Sequence, residues 1–200
     1  GCEHSVFEIL SNSIDEAREG YGKKIEITVG KDNDITVCDH GRGIPVDFNN
    51  NEGKYNWELL FCELYAGGKY DNSLGLNGLG LCSTQYSSEY MDVTVIRDGY
   101  KYELHFEKGK NVGGLKKEST NSKSTGTKIH WKPDLEVFTD INIPIEYYQE
   151  ILKRQSVVNA GLEFELKDLK TGETYNYCYE NGIKDYIVER AGEKSLTEIQ

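Results

Sequence analysis

The sequence predicts an α+β fold, a two-layer sandwich in which a mostly antiparallel sheet is covered by helices on one face. Segments in which apolar residues recur at helical spacing alternate with segments of period two. Several neighbouring period-two segments are separated only by a short turn, which favours antiparallel pairing. The 200 residues are enough for one substantial domain, and no internal repeat divides them.

The first half of the chain begins with a helix over residues 4–19, which Gly20 can end and whose apolar residues share one face (Val6, Phe7, Leu10, Ile14, Ala17). Two alternating strands follow, Lys24–Val29 and Ile35–Asp39, around a turn at residues 32–33. We then expect a loop over 40–53, a helix over 55–65, an irregular glycine-rich stretch over 66–80 and a short helix over 80–87.

The second half is richer in strands. The segments 91–96 and 100–107 flank an Asp-Gly pair at 98–99, the strongest hairpin signal in the chain. We then expect a polar loop over 109–124 that holds Lys116 and Lys117, and a strand over 126–132. A helix over 144–159 with Pro144 in its first turn, paired strands over 161–168 and 174–179, and a helix over 183–189 complete the chain.

Composition limits the classes of function. The formal net charge of −11 makes the chain a poor candidate for gripping DNA phosphates, which requires clustered Lys and Arg. The five cysteines are widely spaced and form no CxxC pair, which indicates reduced thiols in a cytoplasmic protein rather than a disulfide framework or a zinc site. There is no apolar run of ~18 residues and no export leader, so we expect neither membrane insertion nor secretion.

The first helix carries a candidate catalytic face. Glu8 and Asn12 are four residues apart and therefore project from the same side of the helix. A carboxylate there could take a proton from water, and an amide oxygen could bind Mg²⁺, which prefers oxygen ligands. Taken alone, such a pair is more often a solvated polar face of an amphipathic helix.

Three later segments contain glycine beside polar residues. Residues 39–45 (DHGRGIP) start at a strand end, where the Asp39 carboxylate can accept a hydrogen bond from an amine such as that of adenine. Residues 75–80 (GLNGLG) open a helix and so offer free N–H groups to a phosphate, without Rossmann or Walker spacing. Residues 125–127 (TGT) place a hydroxyl beside a strand. Each segment alone also fits an ordinary glycine-rich turn.

In this order, the four segments resemble the boxes of the GHKL ATPase superfamily and, more narrowly, the B subunits of bacterial type II DNA topoisomerases, of the gyrase and topoisomerase IV kind. The resemblance is carried by EILSNSIDEA (8–17), DHGRGIP (39–45), AGGKYD (66–71), the glycines of 75–80 and TGT (125–127). It extends over nearly the whole chain and implies the Bergerat ATP-binding fold.

The resemblance also implies a role for individual residues. Glu8 would be the general base that activates water, and Asn12 would be a ligand of Mg²⁺. Asp39 would accept the adenine amino group, with Thr127 supporting it through a water molecule. The base pocket would be formed by Gly43, Ile44 and Pro45, lined by Ile9, Val37 and Ile129, with Arg42 at its mouth beside Glu16. A lid over the triphosphate would begin at Gly67, Gly68 and Lys69, and the phosphates would meet backbone N–H groups of Leu76, Asn77, Gly78, Leu79 and Gly80.

The parent protein implied by the resemblance works with an A subunit and DNA, and couples ATP hydrolysis to strand passage, with supercoiling or decatenation as the outcome. Residues 1–200 would be its ATP-binding domain, truncated at both ends, with about 144–200 holding the C-terminal edge or the start of the transducer region. The family's N-terminal arm and transducer lysine are missing. We therefore expect a monomer that binds ATP, hydrolyses it slowly or not at all, and does not hold DNA strongly.

The chain departs from the family pattern at several positions. His40, Ser11 and Asn77 replace residues that are frequent there, Glu103 stands where an arginine is common, and the lid is short between Tyr70 and Ser73. One alternative is an ATPase of the same superfamily with a chaperone or mismatch-repair task, which AGGKYD argues against. Another is a nucleotide-binding module without turnover, which the intact Glu8 and Asn12 argue against.

Overall fold

The computed structural model describes residues 1–63 and 78–199, and it contains one large mixed sheet with helices packed on one of its faces. The helices are α1 (Cys2–Arg18), α2 (Asn56–Phe61), α3 (Gly78–Tyr86), α4 (Ile145–Val158) and α5 (Ile183–Ile199). The strands are β1 (Lys24–Val29), β2 (Ile35–Asp39), β3 (Phe48–Asn49), β4 (Lys54–Tyr55), β5 (Ser88–Arg97), β6 (Tyr100–Glu107), β7 (Lys110–Asn111), β8 (Lys116–Ser119), β9 (Gly126–Pro133), β10 (Glu163–Asp168) and β11 (Thr174–Tyr177).

The main sheet has the strand order β11-β10-β1-β2-β9-β5-β6-β7, and β8 also pairs with β6. All neighbours in it are antiparallel except β1 and β10, which run parallel because α4 carries the chain back across the sheet. The α+β sandwich that the sequence predicts is therefore confirmed. Among the described residues, no helix is long and apolar enough to cross a membrane.

Alternation along the strands explains why only one face of the sheet is covered. In β1 and β2 every second residue is buried, and these positions face the helices. The apolar stripe of α1, with Val6, Ile9 and Leu10, packs into the same core. Trp131 in β9 is fully buried, and its indole Nε1 donates to the carbonyl of Thr84 in α3 at 3.0 Å, so it joins the two layers.

Turn chemistry sets most of the boundaries as expected. Asp98 and Gly99 between β5 and β6 both have positive φ (53° and 80°), the conformation that a two-residue hairpin turn of type I′ requires. Gly20, just beyond α1, has φ 94° and ends that helix.

Several expected boundaries were wrong. The segment 109–124 is not only loop, since it contains β7 and β8; every residue of β8 is exposed, so no alternation of hydrophobicity marks it. A short β3–β4 hairpin starts inside the expected 40–53 loop. Pro144 precedes α4 as its N-cap instead of lying in its first turn, and α5 continues to Ile199.

Candidate functional site

Asp39, the last residue of β2, is a buried carboxylate that accepts three hydrogen bonds. Its Oδ1 accepts the backbone N–H groups of Gly41 and Thr127, both at 3.1 Å. Its Oδ2 accepts the hydroxyl of Ser13 in α1 at 2.7 Å. The side chain is therefore fixed in orientation by two strands and a helix.

Burial raises the pKa of Asp39 above that of an ordinary aspartate, and the nearby Glu16 adds to this. The hydrogen bonds from Ser13, Gly41 and Thr127 act in the opposite direction because they stabilise the charged form. A buried, oriented carboxylate of this kind recognises a hydrogen-bond donor on a ligand.

The loop that follows Asp39 is held by backbone hydrogen bonds from the neighbouring strands. The N–H of Ile44 donates to Thr127 Oγ1 at 2.9 Å, and the Arg97 guanidinium donates to the carbonyl of Gly43 at 2.6 Å. Gly43 has φ 84°, and a Cβ there would meet the carbonyl of Ile96 at 2.9 Å. Only glycine therefore allows this loop to lie against the end of β5.

Arg42 and Glu16 form the ion pair expected at the mouth of this loop. The guanidinium donates to Glu16 Oε1 through Nη2 at 2.7 Å and through Nε at 3.1 Å, and the Arg42 N–H donates to Oε2 at 2.9 Å. The guanidinium also lies 3.9 Å from the ring centre of Tyr21. Glu103 takes no part in this contact, since it pairs with Lys101 at 3.1 Å on β6.

Beneath the loop, the expected apolar lining is present. Ile9, Val37, Ile44 and Ile129 are all buried, and Pro45 is half-buried. Val37 and Ile129 are direct neighbours across β2 and β9. Asp39 and Thr127 lie at the ends of the same two strands, so polar recognition is placed directly beside an apolar wall.

Glu8 and Asn12 lie on one face of α1, as their spacing predicts. The Asn12 amide donates to the backbone carbonyl of Glu8 at 2.7 Å, which turns Asn12 Oδ1 the other way. This oxygen is buried and has no hydrogen-bond partner among the described residues. A buried acceptor without a partner is costly unless a ligand supplies one.

The first turn of α3 lies against Glu8. A Cβ on Gly80 would overlap with the Glu8 carboxylate, so this glycine makes the close approach possible. Gly78, Leu79 and Gly80 do open a helix. The other residues expected at the phosphates and in the lid (Gly67, Gly68, Lys69, Leu76, Asn77) lie outside the described residues, as does the shortened segment between Tyr70 and Ser73.

Sequence reasoning missed three residues at this site. His4 lies 3.4 Å from Glu8 Oε1 through its Nε2, and its i,i+4 spacing could have revealed it. Ser13 and Arg97 come from distant parts of the chain, and no sequence signal ties either one to Asp39 or Gly43. Two clefts of about 560 and 540 Å³ lie elsewhere and contain none of the expected site residues.

Comparison with known proteins gives concordant matches. Residues 1–137 match the model of a family described as histidine kinase-, DNA gyrase B-, and HSP90-like ATPase. The chain is 36% identical over 192 residues to the B subunit of DNA topoisomerase 4 from Salmonella typhimurium, covering 93% of this chain and 30% of that protein. It is 37% identical over 202 residues to the corresponding protein of Bacillus subtilis, covering 98% of this chain and 30% of that protein.

Solved structures agree with these relatives. The topoisomerase IV ATP-binding domain of Francisella tularensis, solved with a small-molecule inhibitor, matches with a TM-score of 0.83 and 30% identity over 94% of this chain and 52% of that one. The 43K ATPase domain of Thermus thermophilus gyrase B, solved with an aminocoumarin, matches with a TM-score of 0.81 and 29% identity over 92% and 47%. The chain thus spans about a third of the relatives and half of these domains.

Proposed function

The chain belongs to the family of histidine kinase-, DNA gyrase B- and HSP90-like ATPases, and from that premise we propose that it is the ATP-binding domain of a type II DNA topoisomerase B subunit. One observation carries the nucleotide assignment: Asp39 is buried beside an apolar wall and held by three donors. A flat base could lie on that wall and donate its exocyclic amine to the carboxylate. Burial makes such a charged hydrogen bond strong and selective.

Mg²⁺ fits the residues around Asn12. The unpartnered, buried Asn12 Oδ1 is a hard oxygen ligand of the type that Mg²⁺ binds, next to the site where phosphates would lie. When bound, the ion would neutralise charge on the phosphate oxygens. Asn12 would hold it, and the hydrogen bond from the Asn12 amide to the Glu8 carbonyl would keep Oδ1 directed toward it.

Glu8 is the residue we assign to proton transfer. Its carboxylate lies between His4 and the first turn of α3, where backbone N–H groups and the helix dipole favour the negative phosphates. It would accept the proton of the water that attacks the terminal phosphate. Phosphoryl transfer depends mainly on positioning and charge stabilisation, which a base, a metal ligand and helix N–H groups provide.

The parent protein would use this hydrolysis to drive DNA strand passage together with an A subunit. Support comes from the relatives, which are B subunits of topoisomerase IV and a type 2 topoisomerase of Aquifex aeolicus, 36% identical over 94% of this chain and 24% of that protein. The domain itself is acidic, with a net charge of −11, so DNA would be held by other parts of the parent.

Titration calorimetry with the β,γ-imido analogue of ATP, with and without Mg²⁺ and against the GTP analogue, tests the assignment. We expect adenine-selective binding that Mg²⁺ strengthens, and weaker dependence on Mg²⁺ in Asn12→Ala. Asp39→Asn should weaken binding by about 1.5–3 kcal/mol, the usual cost of losing a charged hydrogen bond. Unchanged affinity in Asp39→Asn would remove the adenine role.

A further inference from the structure

Ser13 connects α1 to the carboxylate that would read the base. Its hydroxyl donates to Asp39 Oδ2 at 2.7 Å, and both side chains are buried, with 6% and 7% exposed. A helical serine usually directs its hydroxyl to the carbonyl one turn earlier. Here it is directed across the layer to a residue 26 positions away, so the contact is a tertiary one.

The number of acceptor sites on Asp39 shows what this contact does. Oδ1 already accepts two backbone N–H groups, from Gly41 and Thr127, which use both of its lone pairs. Oδ2 accepts the Ser13 hydroxyl on one side only. Among the described residues, one well-directed acceptor position therefore remains on the carboxylate, and Ser13 sets its direction.

We propose that Ser13 is a positioning residue that makes Asp39 selective for purines with a 6-amino group over purines with a 6-oxo group. This inference rests on the proposed nucleotide-binding function. A 6-oxo purine would place a carbonyl oxygen against the carboxylate, and binding it would require Asp39 to be protonated and to act as a donor. The Ser13 hydroxyl opposes this because, as a donor, it fits only the acceptor form of Oδ2.

The electrostatics of the site support the same conclusion. Burial raises the pKa of Asp39, and the Ser13 hydrogen bond is the first of the interactions that counteract this rise. Without Ser13, the carboxylate keeps only its two backbone donors, both on Oδ1, and can turn about its bond to Cβ or take up a proton. Both changes blur the distinction between an amine and a carbonyl on the base.

The test compares Ser13→Ala with the wild-type chain by titration calorimetry, using the β,γ-imido analogues of ATP and ITP, whose bases differ in the 6-amino and 6-oxo groups. We expect Ser13→Ala to weaken ATP-analogue binding about 5- to 30-fold, as the loss of one buried hydrogen bond implies. Binding of the ITP analogue should stay within about twofold, so the ATP-to-ITP preference falls.

Two further variants separate positioning from packing. Ser13→Thr keeps the hydroxyl and should restore most of the preference. Ser5→Ala removes an equally buried hydroxyl from α1 that makes no contact with Asp39, and it should leave both affinities unchanged. Thermal unfolding of each variant should show intact folds, since alanine is well tolerated in a helix.

Three results would overturn the inference. Ser13→Ala could bind both analogues as the wild type does, it could lose both equally, or Ser13→Thr could fail to restore the preference while remaining folded. Failure of the proposed function looks different, because the wild-type chain would then show no preference for the ATP analogue at all.

Discussion

At the scale of the residue, the site is built from polar groups that burial makes costly and that neighbours hold in one orientation. Asp39 is stabilised as a charge by three donors, and Glu16 is paired with Arg42. Asn12 Oδ1 alone is buried without a partner in this part of the described chain. Ligand-directed chemistry is expected where a fold leaves such a group unsatisfied.

Glu8→Ala tests the assignment of the base. In the full-length protein we expect nucleotide affinity to be preserved, because Glu8 is assigned to the water and not to the nucleotide. Turnover should fall by about 10²–10⁴-fold, the range typical of a lost general base. Steady-state phosphate release and nucleotide titration measure the two effects separately. Normal turnover would assign the proton transfer to another group.

At the scale of the element, two pieces complete the site without belonging to its motifs. The start of α3 meets Glu8 through the open space at Gly80. On the other side, Lys117 in β8 pairs with Asp47 at 2.7 Å, and Tyr102 in β6 donates to the same carboxylate at 3.2 Å. These contacts hold the end of the 41–47 loop against the outer strands of the sheet.

Gly80→Ala should separate stability from catalysis. The new methyl group would displace the Glu8 carboxylate, which is the flexible end of a side chain, while alanine favours the helix. We expect the free energy of unfolding to change by less than about 1 kcal/mol, and turnover of the full-length protein to fall about 10- to 100-fold.

Gly192→Ala in α5 is the matched control, because that helical glycine has open space around it. It should gain a little stability and keep full turnover. If Gly80→Ala also keeps full turnover, then α3 does not position Glu8.

The β5–β6 hairpin carries a pH-dependent contact on the open face of the sheet. The ring of His105 lies 2.9 Å from Glu107 and 2.5 Å from Asp92, and these two carboxylates raise its pKa above the usual 6.5. Because the folded pKa is raised, the contribution to stability is fully present below about pH 6.5 and is lost as pH rises through the folded pKa.

His105→Gln should remove that pH dependence. All three side chains are more than one third exposed, so solvent screening limits the effect to below about 1 kcal/mol. The measurement is the difference in unfolding free energy between wild type and variant, from pH 5.5 to 9. The difference should shrink as pH rises, and a constant difference would contradict the ion-pair origin.

At the scale of the whole molecule, we propose that residues 1–200 form a single ATP-binding domain. The parallel pairing of β10 with β1 inserts the C-terminal segment into the same sheet as β2 and β9, which carry Asp39 and Thr127. Phe164 and Leu166 in β10 are fully buried in the common core. A boundary near residues 133–143 would leave this sheet incomplete.

Phe164→Ala tests whether the molecule unfolds as one unit. The cavity left by a buried phenylalanine costs about 3–5 kcal/mol. Both tryptophans, Trp57 and Trp131, lie outside the C-terminal segment, so their fluorescence reports on the rest of the chain. We expect fluorescence and far-ultraviolet circular dichroism to give coincident melting curves, shifted together by the substitution. Separate transitions would indicate two units.

The sequence predicted those parts that depend on local chemistry. Residue spacing predicted the helical face of Glu8 and Asn12, and the Asp98-Gly99 turn predicted the β5–β6 hairpin, because helix periodicity and left-handed turns are properties of short segments. The order of the motifs predicted the ATPase family, which the match of residues 1–137 confirms.

Only the tertiary structure decided what lies across the layers. The exposed residues of β8 form a strand because β6 offers unpaired backbone groups, and nothing in their own sequence marks it. Ser13 reaches Asp39, and Arg97 reaches Gly43, through contacts that span 26 and 54 positions. Such contacts depend on how α1 and β5 pack against β2 and its loop, so the orientation of the base-reading carboxylate is a property of the folded molecule and not of any segment.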